Sequence, residues 1–328
     1  MKACKSESYN WILNEETGYF ARWGKTKEDD PQMSPVGPEI LDLEITTICS
    51  KGCPWCYKSN TNVGKNMTFE TFKKIFDKLT KNLTQIAFGI GDIDANPDMW
   101  RMFEYCRENR VVPNVTINGE NLTDEHVQKL VKLCGAVAVS HYDDNTCYGA
   151  VRRLTDAGLK QVNIHQLVSE ETYKSCMQVF NDMKWDRRLM KLNAVVFLSL
   201  KEKGKRNKLH RLSVEKFESL IHKGFELGLS FGFDSCTACK FMKAIRDRDN
   251  KEELEMMCEP CESGLFSSYI NVDGKYFPCS FTEGVEGYEG IDVANCDDFM
   301  KDVWFSDSIK SWREKLLGNS RACPVFNI

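Results

Sequence analysis

No stretch of this chain approaches the ~20 consecutive apolar residues of a membrane-spanning helix. The first ten residues, Met1-Lys-Ala-Cys-Lys-Ser-Glu-Ser-Tyr-Asn10, have no apolar core, so no signal peptide is visible. An excess of one charge is also missing: 44 Lys and Arg against 48 Asp and Glu leave a formal net charge of −4. That balance offers no general attraction to nucleic acid. Internal repeats and low-complexity tracts are absent, and a content of 42% hydrophobic and 28% charged residues excludes global disorder. The expectation is a cytoplasmic protein with neither membrane nor nucleic acid as partner. One local exception is the basic run 201–211, Lys-Glu-Lys-Gly-Lys-Arg-Asn-Lys-Leu-His-Arg. It could touch a phosphate or an acidic peptide, but a solvated loop is the preferred reading. What the chain does have is cysteine, fifteen in 328 residues. In a reducing cytosol these are better explained by metal or redox work than by disulfides.

Strand-like runs near 40–45, 85–88, 111–117, 136–140, 161–168 and 192–198 alternate with helix-like runs at 68–79, 98–108, 123–133, 146–157 and 170–183. Thr68 and Thr123 stand where N-caps belong, just before apolar periodicity begins. Six strands alternating with helices predict an α/β fold with a parallel sheet and crossover helices. Periodicity alone leaves an open sheet and a partial barrel equally possible. Residues 1–37 read as an N-terminal arm with one strand at 19–23. A helix at 213–227 and a short run at 229–233 lead out of the core. After about residue 234 the alternation stops and cysteines cluster. The predicted division is therefore 1–37, 38–234 and 235–328.

Cys49, Cys53 and Cys56 are spaced C-x3-C-x2-C directly after the first core strand. Three thiolates this close suit an iron–sulfur cluster that keeps one iron without a protein ligand. A structural zinc site wants four protein ligands, usually as two separated pairs. A surface loop with three unrelated cysteines is the bland alternative. The loop leaves the C-terminal end of a strand, where α/β folds place their chemistry. Here the sequence resembles the radical S-adenosylmethionine (radical SAM) superfamily, whose motif is C-x3-C-x-aromatic-C, with Trp55 in the aromatic position. The resemblance implies a six-stranded partial (β/α)6 TIM-like barrel. It also implies a [4Fe–4S] cluster with an open iron that chelates S-adenosylmethionine. One-electron reduction, from a donor such as flavodoxin or ferredoxin, then yields a 5′-deoxyadenosyl radical that abstracts hydrogen from substrate.

Further residues match the family's cofactor-binding pattern at successive strand ends. The family's Gly-Gly-Glu-Pro stretch corresponds to Phe88-Gly-Ile-Gly-Asp-Ile-Asp-Ala-Asn-Pro97. Gly91 matches the second glycine and Asp92 the glutamate, while Ile90 and Ile93 depart from the pattern. Gly89, Gly91 and Asp92 are thus expected at the methionine end of the cofactor; a tight Gly/Asp turn is the alternative. Thr116-Ile-Asn-Gly119 resembles the family's Thr-Asn-Gly step, which makes Asn118 a candidate, and Ser140 resembles the serine that touches the ribose. His165 lies in the fifth strand run beside Gln166; one of the two could face the barrel interior while the other packs outside. A satisfied core histidine is the commoner outcome, so His165 is a secondary catalytic candidate.

In the last third, Cys261 is followed by twelve residues, Gly274, four residues and Cys279. The step Asp273-Gly274 between β-prone runs is a hairpin signal that would bring the two thiols together. This pattern resembles the opening of the SPASM and twitch domains, small cysteine-rich accessory domains of radical SAM enzymes. The resemblance implies a second, auxiliary [4Fe–4S] cluster on Cys258, Cys261, Cys279 and Cys323. Two CxxC pairs, Cys236/Cys239 and Cys258/Cys261, would instead suit zinc, but leave Cys279 and Cys323 unexplained. Cys236 is then a candidate hydrogen-atom donor to a substrate radical, with an idle local thiol pair as the alternative. The expected function is oxidative modification of a peptide. A dehydrogenase or rearrangement enzyme acting on a small molecule, an enzyme acting on nucleic acid, and a non-catalytic iron–sulfur protein stay open.

Overall fold

A computed structural model describes residues 1–26, 29–326 and 328. Its first three strands, β1 (Lys2–Cys4), β2 (Asn10–Leu13) and β3 (Phe20–Trp23), form an antiparallel sheet of their own. Among its described residues the arm at 1–37 thus contains three strands where one was expected. It is also anchored: Tyr9, Trp11 and Leu13 share an apolar cluster with Val112, Leu265, Phe266 and Leu316. The two extra strands are three and four residues long, too short for a period of two to register.

The core strands are β4 (Ile40–Glu44), β5 (Gln85–Gly89), β6 (Val112–Ile117), β7 (Ala136–Ser140), β8 (Gln161–Val168) and β9 (Ala194–Ser199). They pair in parallel in sequence order, as the pattern predicted. A seventh parallel strand, β10 (Phe231–Phe233), joins β9, so the run 229–233 extends the sheet instead of leading out of it. Pairing supplies the backbone partners that three residues cannot reveal in sequence. The helices α1 (Phe69–Phe76), α2 (Met99–Glu108), α3 (Asp124–Leu133), α4 (Asp144–Asp156), α5 (Tyr173–Trp185) and α6 (Val214–Leu227) connect successive strands. Thr68 and Thr123 cap α1 and α3 as expected, each hydroxyl accepting from a backbone N–H three residues on.

Strand alternation sorts the two faces of this sheet. On β8, Val162, Ile164, Gln166 and Val168 are buried, while Asn163, His165 and Leu167 take the opposite face. Beyond β10 come the short helices α7 (Ala238–Ala244) and α8 (Lys251–Met256), then β11 (Ser267–Ile270), β12 (Lys275–Phe277), β13 (Ile291–Asp292) and helix α9 (Asp307–Gly318). β11 and β12 form the expected hairpin, turned at Gly274 with φ +75°. β11 also pairs in parallel with β4, so the C-terminal segment continues the barrel sheet at its first strand. The result is a partial (β/α) barrel of the kind the resemblance implies, an open sheet with β10 at one edge and the C-terminal strands β11–β13 at the other. Among the described residues no helix is long and apolar enough to cross a membrane.

Candidate active site

The loop after β4 is held by its own backbone. The Cys49 N–H donates to the Thr61 carbonyl at 2.7 Å, Ser59 N–H to Cys56 O at 3.0 Å, and Gly52 adopts φ +61°. Two glycines press against it. A Cβ on Gly91 would overlap the Ile48 carbonyl oxygen and stand 2.6 Å from the Cys49 Cβ. A Cβ on Gly204 would overlap the Cys56 carbonyl oxygen. Gly91 is therefore needed for close packing on the cysteine loop, a physical reason distinct from contact with a ligand.

Asp92 joins this loop to the third strand end. Its Oδ2 accepts from the Ser50 N–H at 2.8 Å and its Oδ1 from the Asn118 amide at 3.2 Å. It does not itself line the neighbouring cavity. That cavity, about 570 Å3, opens at the C-terminal ends of the strands. Cys49, Cys53, Trp55, Cys56, Gly89, Gly91, Asn118, Ser140 and His165 all line it. Burial pushes the Cys49 and Cys53 thiols up, so a metal must displace their protons on binding. Three thiols beside a cleft, with Trp55 between the last two, fit the donor set of a cluster with an open iron.

His165 faces the cavity, 3.4 Å from the Thr116 hydroxyl, and burial lowers it to about 4. It is neutral at physiological pH. Gln166 is buried, its Oε1 2.5 Å from His141 Nδ1. Tyr142, which sequence reasoning missed, also lines the cavity. Its ring lies 6.0 Å from that of Trp55, and its hydroxyl sits between Ser140 and the Cys53 thiol. Its position two residues beyond the Ser140 strand end was the available signal.

Cys236, Cys261 and Cys279 line the same cavity. Cys323 lies within electrostatic range of all three. Its segment is tied down by Arg321, which donates to the carbonyls of Cys261 at 2.9 Å and Pro260 at 2.8 Å. Backbone N–H groups point at two of these sulfurs: Phe281 to Cys279 at 3.4 Å and Phe326 to Cys323 at 3.3 Å. Burial pushes Cys236, Cys261 and Cys279 each up to about 12. Cys258 is outside this cavity wall and neighbours Cys239 instead. Among the described residues no three His, Cys, Asp or Glu side chains are close enough to share a single ion. A four-iron cluster spreads its thiolates over separate irons, so its ligands stand farther apart than those of one ion.

An ionic network ties the cysteine loop to the C-terminal segment. Lys58, two residues after Cys56, pairs with Glu44 at 3.1 Å and with Glu283, and bonds the Tyr269 hydroxyl at 2.7 Å. Burial raises Glu44, with Lys58 opposing the shift. The basic run 201–211 is solvated at Glu202, Lys205, Lys208 and His210, as expected, but its other cations join this assembly. Lys201 is buried and paired with Asp234, Lys203 donates to the Phe281 carbonyl at 3.0 Å, and Arg206 donates to the Asn60 carbonyl at 2.9 Å. Packing engages Lys201, Lys203 and Arg206, cations that the sequence alone left free.

Residues 43–177 match the family model of the radical SAM superfamily. They are a radical SAM domain. A stretch of 99 residues is 31% identical to the tungsten-containing aldehyde ferredoxin oxidoreductase cofactor-modifying protein of Pyrococcus furiosus, covering 29% of this chain and 28% of that one. The fold is similar to that of SuiB from Streptococcus suis bound to precursor peptide SuiA, with a TM-score of 0.67 and 15% identity. That likeness covers 84% of this chain and 66% of SuiB. It is also similar to anSMEcpe with bound AdoMet, with a TM-score of 0.60 and 15% identity over 84% and 79% of the two chains. The chain thus spans under two thirds of the length of both the curated relative and SuiB.

Proposed function

We propose that this chain reductively cleaves S-adenosylmethionine and abstracts hydrogen from a peptide in an oxidative modification. The observation that carries the proposal is a single cavity lined both by Cys49, Cys53 and Cys56 and by Cys236, Cys261 and Cys279. The first three thiolates would hold a [4Fe–4S] cluster, which with S-adenosylmethionine supplies a 5′-deoxyadenosyl radical. Trp55, Gly89, Gly91, Asn118 and Ser140 would bound the cofactor site, with Asp92 orienting Asn118 and the Ser50 amide beside it. His165, uncharged and in the same wall, would present a neutral hydrogen-bonding group to cofactor or substrate.

An auxiliary [4Fe–4S] cluster in the segment 235–328 would supply an acceptor for the electron left on the substrate. Its proposed ligands are Cys261, Cys279, Cys323 and Cys236. Spacing favours Cys258 in the fourth place, but the shared cavity wall favours Cys236, which as a ligand is no hydrogen donor. The peptide substrate is supported by the likeness in fold to SuiB, whose structure contains a precursor peptide. The electron donor would be of the flavodoxin or ferredoxin class, as expected in a reducing cytosol.

The test is anaerobic reconstitution followed by dithionite and S-adenosylmethionine. Wild type should form 5′-deoxyadenosine, and replacing Cys49, Cys53 and Cys56 by alanine should abolish it. Undiminished turnover in that triple variant would overturn the proposal.

A further inference from the structure

Three carboxylates line the cavity: Asp42, Glu44 and Asp234. Two have their own cation. Glu44 is paired with Lys58 at 3.1 Å, and Asp234 with Lys201. Asp42 has neither an ion pair nor a hydrogen bond among the described residues. Its strand partners explain this. At its level of the sheet β5 presents Ala87, which has no polar side chain, and β11 presents Tyr269. The Tyr269 hydroxyl is already engaged with Glu44, Lys58 and Glu283. Two histidines line the cavity: His165 is held neutral by burial, and both ring nitrogens of His141 are taken by Gln166 and Asp144.

We propose that Asp42 is the floor of a subsite that takes a positively charged group of the substrate, an ammonium or guanidinium. This rests on the cavity being the substrate chamber proposed above and narrows the class of peptide that enters it. Asp42 is reachable by solvent inside the cavity but enclosed by protein, and that enclosure raises its carboxyl to about 6. It is therefore ionised near neutral pH. In the free chain water in the cavity solvates it; once substrate displaces that water, an ionised carboxylate left without a partner is costly, and the fold offers none. A cation brought by the substrate would offset that cost with a charge-assisted hydrogen bond. Depth adds a length requirement. Asp42 lies two residues before Glu44 on β4, roughly 7 Å further from the strand end where the cysteine loop begins. A long side chain of the lysine or arginine type spans that depth with apolar methylenes against apolar walls and a charged tip at Asp42.

The probes are acetyl-lysine methylamide and its uncharged counterpart acetyl-norleucine methylamide, titrated into the reconstituted full chain by ligand-observed NMR. Wild type should bind the lysine probe about tenfold more tightly, the size of one charge-assisted contact. Asp42→Asn should erase the difference, and Asp42→Glu should keep most of it. Equal binding of the two probes by wild type would overturn the proposal, and needs no variant to fold. So would a preference that survives in Asp42→Asn. Formation of 5′-deoxyadenosine by wild type is read in the same samples. If it occurs without a lysine preference, the subsite fails alone; if it does not occur, the reading of the chamber itself has failed.

Discussion

Two sets of cysteines gather at one cavity, and the chain assembles them in opposite ways. Cys49, Cys53 and Cys56 lie within one eight-residue stretch, on a loop whose shape comes from a single strand end and its own backbone hydrogen bonds. Cys236, Cys261, Cys279 and Cys323 come from four separate places: after β10, before β11, after β12 and beyond α9. The first set is local and its spacing is visible as a motif. The second exists only once the hairpin pairs with β4 and Arg321 secures the tail. A local site should survive damage elsewhere; a dispersed one should not.

The largest test of that contrast is iron content. Reconstituted wild type should carry about eight irons, two clusters of four. Replacing Cys279 and Cys323 by alanine should halve this while 5′-deoxyadenosine formation continues. Cys236→Ala should lower iron similarly and Cys258→Ala should not; the reverse result would return the fourth ligand to Cys258. Next is the bridge between the cysteine loop and the C-terminal segment. Lys58→Met leaves Glu44 buried without its cation and should cost about 3–5 kcal/mol in urea unfolding. A loss under 1 kcal/mol would mean that water reaches Glu44 and that loop and segment are coupled by packing alone.

Smaller effects separate loop from ligand chemistry. Gly91→Ala inserts a methyl group into the Ile48 carbonyl and should cost about 1–3 kcal/mol while loosening the cysteine loop. Normal stability with weakened S-adenosylmethionine binding would show that Gly91 serves the ligand instead. The smallest effect belongs to His165. Its folded value near 4 lies below the ordinary 6.5, so between them the unfolded chain binds the extra proton and acid destabilises the fold. Its share of the loss from about pH 7.5 to about pH 5.5 should be near 1.4 kcal/mol. Comparing unfolding of wild type and His165→Asn at the two values measures it. Equal acid sensitivity would place His165 in contact with water.

Much of this was legible in advance because it is short-range. The six core strands alternate with helices whose caps, Thr68 and Thr123, are written beside their apolar runs. The hairpin announced itself through Asp273-Gly274, since a positive φ at that turn favours glycine. The arm was misjudged because strands of three and four residues are too short to show alternation. The run 201–211 is only half legible, exposed at Lys205 and Lys208 but engaged at Lys201, Lys203 and Arg206, because charge in sequence does not reveal whether a lysine meets water, an aspartate or a carbonyl.

By itself the sequence determined the kind of chemistry: three thiols on one loop at a strand end, an alternating α/β core, and a second cysteine group folded back by a glycine turn. Those features depend on neighbours a few residues away, so their spacing carries them. The tertiary structure decided which distant thiols share a wall, that Lys58 joins Glu44 to Glu283, and that Asp42 is left without a cation. Those outcomes depend on residues up to about 240 positions apart, such as Glu44 and Glu283. Only the pairing of β11 with β4 brings them together.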